Sequence, residues 1–295
     1  MTWDKITEMQ NPVSSSIDEE TVLNILKIIN SEDLKVPNIV KKSIPSIASF
    51  IRDLVFRFRK GGRLFYIGSG TSGRLGVLDA SECPPTFGTD PKLINGIIAG
   101  GYGALIKSVE NAEDSFEDGA KEIIINKIDT NDTVLGISSS SSTPFVLGAL
   151  KKAKAKGAMT GLIISNKKPN LDYVDHEITA IVGAEVITGS TRMKAGTASK
   201  LILNMITTTL MIKMNKTYGN LMVDLNVSNK KLYERAIRIV AKVANLERQD
   251  SIDLLARAKG KVKVALVINN NKCSYKEAVN LLKDVQGNLK EALKK

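Results

Sequence analysis

The stretch that most constrains this chain is Gly62–Phe87, GRLFYIGSGTSGRLGVLDASECPPTF. It reads as a strand, Leu64–Ile67, followed by a glycine-serine-threonine loop, Gly68–Gly73, and a helix, Arg74–Ala80. A carboxylate beside a double proline, Glu82-Cys83-Pro84-Pro85, ends it. A strand that turns through small residues into a helix N-terminus aims free backbone N–H groups and the positive end of the helix dipole at one point, which makes an anion site. Glu82 follows one helix later, and the prolines fix its backbone. That favours a held carboxylate over a wandering surface one.

The region after Arg63 alternates strands with helices. Further strands are expected at Ile94–Ile98, Thr133–Ser138, Thr160–Ser165 and Glu177–Val182. Between them fall helices over Tyr102–Phe116 and from Pro144 to Lys156, and a long helix over Lys194–Asn215 follows. Regular alternation of this kind argues a parallel α/β sheet covered on both faces. Ligands in such sheets lie beyond the carboxyl ends of the strands. Three of those ends are rich in hydroxyls: Gly68–Gly73, Ser138–Thr143 and Thr188–Thr191.

On either side the chain reads as helical. Residues 1–16 form an extended arm, with Asn11-Pro12 and Ser14-Ser15-Ser16 as turn material. Asp18 caps a first helix with the stripe Val22, Ile25, Leu26 and Ile29. Ser31-Glu32-Asp33 caps a second, and Pro45 starts another that stops at Gly61-Gly62. After Leu232 come helices over Tyr233–Ala244, Ile252–Ala258, Lys261–Ile268, Tyr275–Leu282 and Leu289–Leu293, with Asn269-Asn270-Asn271 as a loop. The expected organisation is an N-terminal arm and helices at 1–54, a sheet domain at 55–218 and a small helical region at 219–295.

Apolar residues make up 43% and charged ones 25%, as in a globular protein without membrane spans. No apolar run reaches the length of a spanning helix. The N-terminus, Met1–Lys5, lacks the basic-then-apolar pattern of a signal peptide, so the cytoplasm is expected. Cys83 and Cys273 are the two cysteines, too few for a disulfide scaffold. The net charge of +11 raises nucleic acid as a partner, but the lysines are scattered and aromatics are 5%, so no stacking platform is expected. A lysine-rich surface also attracts anionic metabolites.

Gly68-Ser69-Gly70-Thr71-Ser72-Gly73 satisfies the dinucleotide pattern G-x-G-x-x-G. A nicotinamide site also wants an acidic residue at the end of the second strand, and Asp90 precedes that strand. The hydroxyls of Ser69, Thr71 and Ser72 suit a monophosphate, which needs several short-range donors. The same holds for Ser138, Ser139, Ser140 and Thr143, and for Ser190. Four carboxylates, Glu110, Glu113, Asp114 and Glu117, crowd one expected helix, and the pattern does not choose among them. Glu185 precedes the third hydroxyl loop as a further site carboxylate. Arg192 and Lys194 lie at a helix N-terminus, an odd place for cations unless an anion is near. His176 is the only histidine. It has no partner in sequence that would make a metal site or a catalytic triad.

Several of these motifs resemble one family. Gly70–Gly88, Thr188–Thr197, Tyr218–Asp224 and the arm Thr7–Pro12 are similar to the signatures of the N-acetylmuramic acid 6-phosphate etherases, over nearly the whole chain. The resemblance implies a sugar isomerase (SIS) domain, flavodoxin-like and doubly wound, followed by a small helical domain, in a homodimer. It implies conversion of N-acetylmuramic acid 6-phosphate and water to N-acetylglucosamine 6-phosphate and D-lactate, in cell-wall amino-sugar recycling, with no metal or redox cofactor. It matches Glu82 to the family's acid/base and Glu113 to its second catalytic glutamate. One stretch departs: the family's third-strand loop reads Ser-Gly-Arg-Thr-Pro, and here it is Ser140-Ser141-Ser142-Thr143-Pro144. The loop keeps its hydroxyls and loses a charge. The rival readings are a sugar-phosphate-sensing regulator, like the related glucokinase regulatory protein, and an aldose–ketose isomerase. Regulators of that kind carry a second SIS domain and are longer.

Overall fold

The computed structural model describes residues 5–167, 169–227 and 229–294; Met1–Asp4, Lys168, Ser228 and Lys295 lie outside it. Two compact units are present, residues 5–81 with 92–207, and residues 82–91 with 208–294. The first unit holds the sheet. Five parallel strands, β1 (Leu64–Gly68), β2 (Ile94–Ile98), β3 (Thr133–Ile137), β4 (Met159–Ile164) and β5 (His176–Thr179), are ordered β2-β1-β3-β4-β5. This is the flavodoxin-like order, which reverses direction between β1 and β3.

β1, β3 and β4 are buried along their whole length, as expected of strands sandwiched between helices. On one face Phe65, Val134 and Leu162 pack with Phe145, Val146 and Leu150 of α5 (Pro144–Ala155) and Ile123 of α4 (Phe116–Ile125). The other face meets α2 (Val36–Arg59) and α3 (Gly70–Phe87), and α6 (Lys194–Lys213) comes after β5 in the chain. Small residues set how close α2 and α3 come. A Cβ on Gly161 would lie 2.9 Å from the Phe50 ring of α2, and one on Gly76 of α3 would lie 2.9 Å from Tyr66.

Several local expectations are corrected. α1 (Val22–Asp33) starts four residues after Asp18 and is capped by Thr21, which accepts the Asn24 N–H at 3.3 Å. Ser31-Glu32-Asp33 ends that helix and does not begin the next. Pro45 lies inside α2, where the buried stripe Val40, Ile47, Ile51, Leu54 and Phe58 outweighs one lost helical bond. The expected helix over Tyr102–Phe116 is a short 3-10 turn, Tyr102–Leu105, then irregular chain through left-handed Asn111. Ser115 caps α4 only afterwards, accepting the Asp118 N–H at 3.1 Å.

The second unit is helical: α7 (Lys230–Ala244), α8 (Arg248–Arg257), α9 (Val262–Asn271), α10 (Tyr275–Asp284) and α11 (Leu289–Ala292). The asparagine run ends α9 and is not a loop. Ala236, Ile237, Val240, Leu255 and Val267 lie in its core. Lys263 is buried at its centre and donates to Asn215 O at 2.7 Å, Asp224 Oδ2 at 2.8 Å and Gly287 O at 2.8 Å. Burial pushes this ammonium below its ordinary pKa, against the pull of Asp224. No helix among the described residues is long and apolar enough to cross a membrane.

Candidate active site

The site is built at the point where the strand order reverses. Gly68 pairs with Ile137, so the next residues, Ser69 and Ser138, leave neighbouring strands side by side. The turn into α3 is tight. A Cβ on Gly68 would lie 2.7 Å from Gly73 N, and one on Gly73 would lie 2.6 Å from Ile98 Cγ1. Gly70 opens the helix with φ +48°. The hydroxyl loop is therefore largely the first turn of α3, which begins four residues before the expected Arg74. Ser69, Thr71 and Ser72 remain partly exposed beside the helix N-terminus, whose first N–H groups have no partner within the helix.

The loop after β3 is drawn in on itself. Ser138 is buried, and its Oγ lies 2.8 Å from Thr143 Oγ1. Its N–H donates to Ile163 O at 3.0 Å, and its carbonyl accepts the Ser141 N–H at 3.0 Å. Ser139 O accepts the Ser165 N–H at 3.2 Å, tying this loop to the end of β4. Ser140 Oγ lies 3.3 Å from Ser142 Oγ. Ser141 adopts φ +62°, the left-handed region that glycine enters freely. Pro144 then starts α5.

Glu113 joins the two loops. Its carboxylate accepts the Ser69 hydroxyl at 2.9 Å, while its carbonyl accepts the Phe145 N–H of α5 at 3.0 Å. The support beneath it is close-packed: a Cβ on Gly119 would lie 1.8 Å from Phe145 O, and one on Gly148 would lie 2.0 Å from Phe116 O. A cavity of about 260 Å³ opens here, lined by Ser69, Arg74, Ser108, Glu110, Asn111 and Glu113. Arg74, which the sequence reading did not single out, donates to Leu105 O at 3.3 Å on its wall.

Glu82 lies within α3 and not after it. Pro84 and Pro85 have no N–H to give, which frees the carbonyls of Ala80 and Ser81 around Glu82. Gly88, at φ +58°, closes the helix by donating to Pro84 O at 2.9 Å. A Cβ there would lie 2.2 Å from Asp224 O, so only glycine fits. Earlier in α3, Asp79 accepts from Tyr66 Oη at 2.9 Å, Asn204 Nδ2 at 2.7 Å and Thr207 Oγ1 at 3.2 Å. Burial pushes the Asp79 carboxyl up, and these three donors pull it back. Glu113 belongs to the sheet unit and Glu82 to the other. Both residues are exposed.

Glu185 and Lys194 turn out differently from expectation. Glu185 is fully buried and accepts the N–H groups of Lys194 at 3.0 Å and Ala195 at 2.9 Å, capping α6. Burial pushes its carboxyl up, and those two donors lower it. Lys194 is 2% exposed, and its ammonium lies 2.5 Å from Glu32 Oε2. Burial alone would raise Glu32, but bonds from Lys194, Lys35 and Asn11 bring it down to about 2. The anion that Lys194 meets is thus inside the chain. Glu32 is 162 residues from Lys194, and no local pattern signals that pairing. Ser190 stays partly exposed in the neighbouring loop, where the Gly189 N–H donates to Thr7 O at 3.2 Å. His176 lies at the amino end of β5, with Nε2 3.0 Å from Asp53 Oδ2.

A family profile described as the N-terminal SIS domain of glucokinase regulatory protein matches residues 46–154. One described as that protein's C-terminal lid domain matches residues 219–263. Full-length relatives are much closer. The N-acetylmuramic acid 6-phosphate etherase of Caldanaerobacter subterraneus subsp. tengcongensis is 50% identical over 98% of this chain and 95% of its own. That of Clostridium acetobutylicum is 50% identical over 99% and 97%. The Photobacterium profundum protein of the same name is 45% identical over 98% and 96%. Identity at this level, end to end, settles membership: the chain belongs to the N-acetylmuramic acid 6-phosphate etherase family.

Proposed function

We propose that Glu82 and Glu113 are the two proton-transfer groups with which this carbon–oxygen lyase cleaves the D-lactyl ether of N-acetylmuramic acid 6-phosphate. The observation that carries the reading is the Ser69–Glu113 hydrogen bond of 2.9 Å, which ties a carboxylate to the hydroxyl loop best suited to a phosphate. Family membership supplies the substrate.

The chemistry needs little more. In the open-chain sugar the aldehyde at carbon 1 acidifies the proton on carbon 2, and a base removes it. The electron pair forms the carbon 2–carbon 3 double bond. The bond from carbon 3 to the ether oxygen breaks with its electrons on oxygen, and an acid protonates that oxygen as D-lactate leaves. Water then adds at carbon 3, a proton returns to carbon 2, and N-acetylglucosamine 6-phosphate results. In our reading Glu82 acts at the ether oxygen and on the attacking water. Glu113 acts at carbon 2 or in ring opening. The phosphate lies among Ser69, Thr71, Ser72, Ser138, Ser139, Ser140, Thr143 and Ser190, and fixes the register of the sugar. Glu185 and Lys194 support this site from behind, by holding the start of α6.

The protein acts in the cytoplasm as a homodimer in this account. Val22, Leu23 and Leu26 of α1 are more than half exposed, which suits an apolar contact surface. The test of function is release of D-lactate from N-acetylmuramic acid 6-phosphate by the purified chain without added nucleotide. Glu82→Gln is expected to lower turnover by about a hundred- to ten-thousandfold while sugar-phosphate binding persists. Undiminished turnover in that variant would remove Glu82 from the mechanism.

A further inference from the structure

We propose that Lys5, from the N-terminal arm, is the cation that holds the substrate's phosphate over the serine loop after β3; this rests on the sugar-phosphate reading above. A phosphate dianion held by hydroxyls and backbone N–H groups alone keeps most of its charge uncompensated, and charge-assisted bonds are the strong ones. The loop Ser138–Thr143 contains no cation of its own. Of the two cations that the sequence offered near the third hydroxyl loop, Lys194 is buried against Glu32 and Arg192 is exposed two residues before it. Arg74 points to the Leu105 carbonyl in the cavity beside Glu113.

Lys5 reaches the loop directly, its Nζ donating to Ser142 Oγ. Its backbone is held where that reach requires. The Glu8 N–H donates to Lys5 O at 2.9 Å, and the Ile6 N–H donates to Asn166 Oδ1 at 3.3 Å, beyond β4. Thr7 is fully buried, and its carbonyl accepts the Gly189 N–H of the third hydroxyl loop. The arm therefore stitches together two of the three hydroxyl loops and sets a lysine on one of them. An ammonium has three donors. One is used on Ser142, and Lys5 forms no ion pair with a carboxylate among the described residues.

The departure in this loop now has a structural counterpart. Ser141 stands where the family resemblance has glycine, and it takes a left-handed φ of +62° that glycine would take without strain. The backbone at Ser141 thus has a conformation that suits glycine, and Ser142 occupies the arginine place. Lys5 returns, from a different part of the chain, the positive charge that Ser142 does not carry.

The experiment is calorimetric binding of N-acetylglucosamine 6-phosphate and of unphosphorylated N-acetylglucosamine to the full chain, alongside the kinetics of lactate release. Lys5→Ala is expected to weaken the phosphorylated ligand by about ten- to a hundredfold, leaving the weak unphosphorylated one unchanged. KM should rise more than kcat falls. Adding Ser142→Arg to Lys5→Ala should restore most of the affinity, which an arm that merely docks would not allow. Unchanged affinity in Lys5→Ala, or a loss that Ser142→Arg leaves unrestored, would overturn the proposal. Binding without lactate release would overturn the etherase mechanism and leave Lys5 standing. No binding by the unaltered chain would remove the sugar-phosphate site and Lys5's role together.

Discussion

Two clusters of the sheet unit drew the same expectation from sequence, and they behave oppositely. At the ends of β1 and β3, Ser69, Thr71, Ser72, Ser139 and Ser140 are only partly buried, and the Ser69 hydroxyl sits on an exposed carboxylate. At the start of α6, Glu185, Lys194 and Glu32 are at most 2% exposed and satisfy one another. Polar groups that have spent their bonds inside the chain hold a framework; those left at an open edge are available to a ligand. Residue type predicted a site in both places. Burial separates them.

Mutations should separate them too, and by different readouts. The largest effect falls on the two glutamates proposed as proton-transfer groups, in activity alone. Glu82→Gln and Glu113→Gln should each lower kcat by about a hundred- to ten-thousandfold, with midpoints of denaturation close to that of the parent. A large loss of stability in either variant would place that glutamate with the framework.

The closed cluster should answer in stability. Lys194→Met removes the buried cation from Glu32, which keeps Lys35 and Asn11, and should cost about 1–3 kcal/mol in urea unfolding. A cost below about 1 kcal/mol would show that the pair is solvated. The acid side gives a second handle. The Glu32 carboxyl is lowered to about 2 from an ordinary value of 4.5. A depressed carboxyl contributes stability that is fully present above its unfolded pKa and is lost as pH falls through the folded one. Stability from Glu32 should therefore decline between about 4.5 and about 2, and this component should vanish in a Glu32→Gln, Lys194→Met double variant. Open-cluster variants such as Ser72→Ala should keep it.

The smallest effect concerns the loop backbone. Ser141→Gly removes a side chain from a left-handed residue and should stabilise the chain by up to about 1 kcal/mol, the strain relieved being partly offset by glycine's greater freedom when unfolded. Destabilisation would mean that the Ser141 hydroxyl, which donates to Ser140 O at 2.6 Å, matters more than the backbone.

The sequence made the sheet legible because buried parallel strands are continuous apolar runs, and Leu64–Ile67 and Thr133–Leu135 stand out among polar neighbours. Boundaries were less legible where one signal hid another. The glycines of Gly68–Gly73 suggest a loop, yet their role is to let β1 and α3 pack closely, so the helix starts at Gly70. Pro84 and Pro85 suggest a helix end, yet they fall in the last turn of α3, where few N–H bonds are lost. The acidic run Glu110–Asp114 has helical spacing, but left-handed Asn111 and the Ser115 cap break it into a turn that delivers Glu113 to Ser69. Long-range pairs left no local trace at all. Lys5 with Ser142, and Lys194 with Glu32, are each more than 130 residues apart and become visible only once the arm and α1 are folded against the sheet.

The central claim is elimination followed by addition of water at carbon 3, and the most direct measurement follows the oxygen and hydrogen atoms. N-acetylmuramic acid 6-phosphate is turned over by the purified chain in water labelled with both deuterium and oxygen-18. The account predicts label oxygen on carbon 3 of N-acetylglucosamine 6-phosphate, deuterium on its carbon 2, and D-lactate whose former ether oxygen is unlabelled. Label oxygen in the lactate, with carbon 2 keeping its original hydrogen, would mean direct attack on the lactyl carbon and would contradict the mechanism assigned to Glu82 and Glu113.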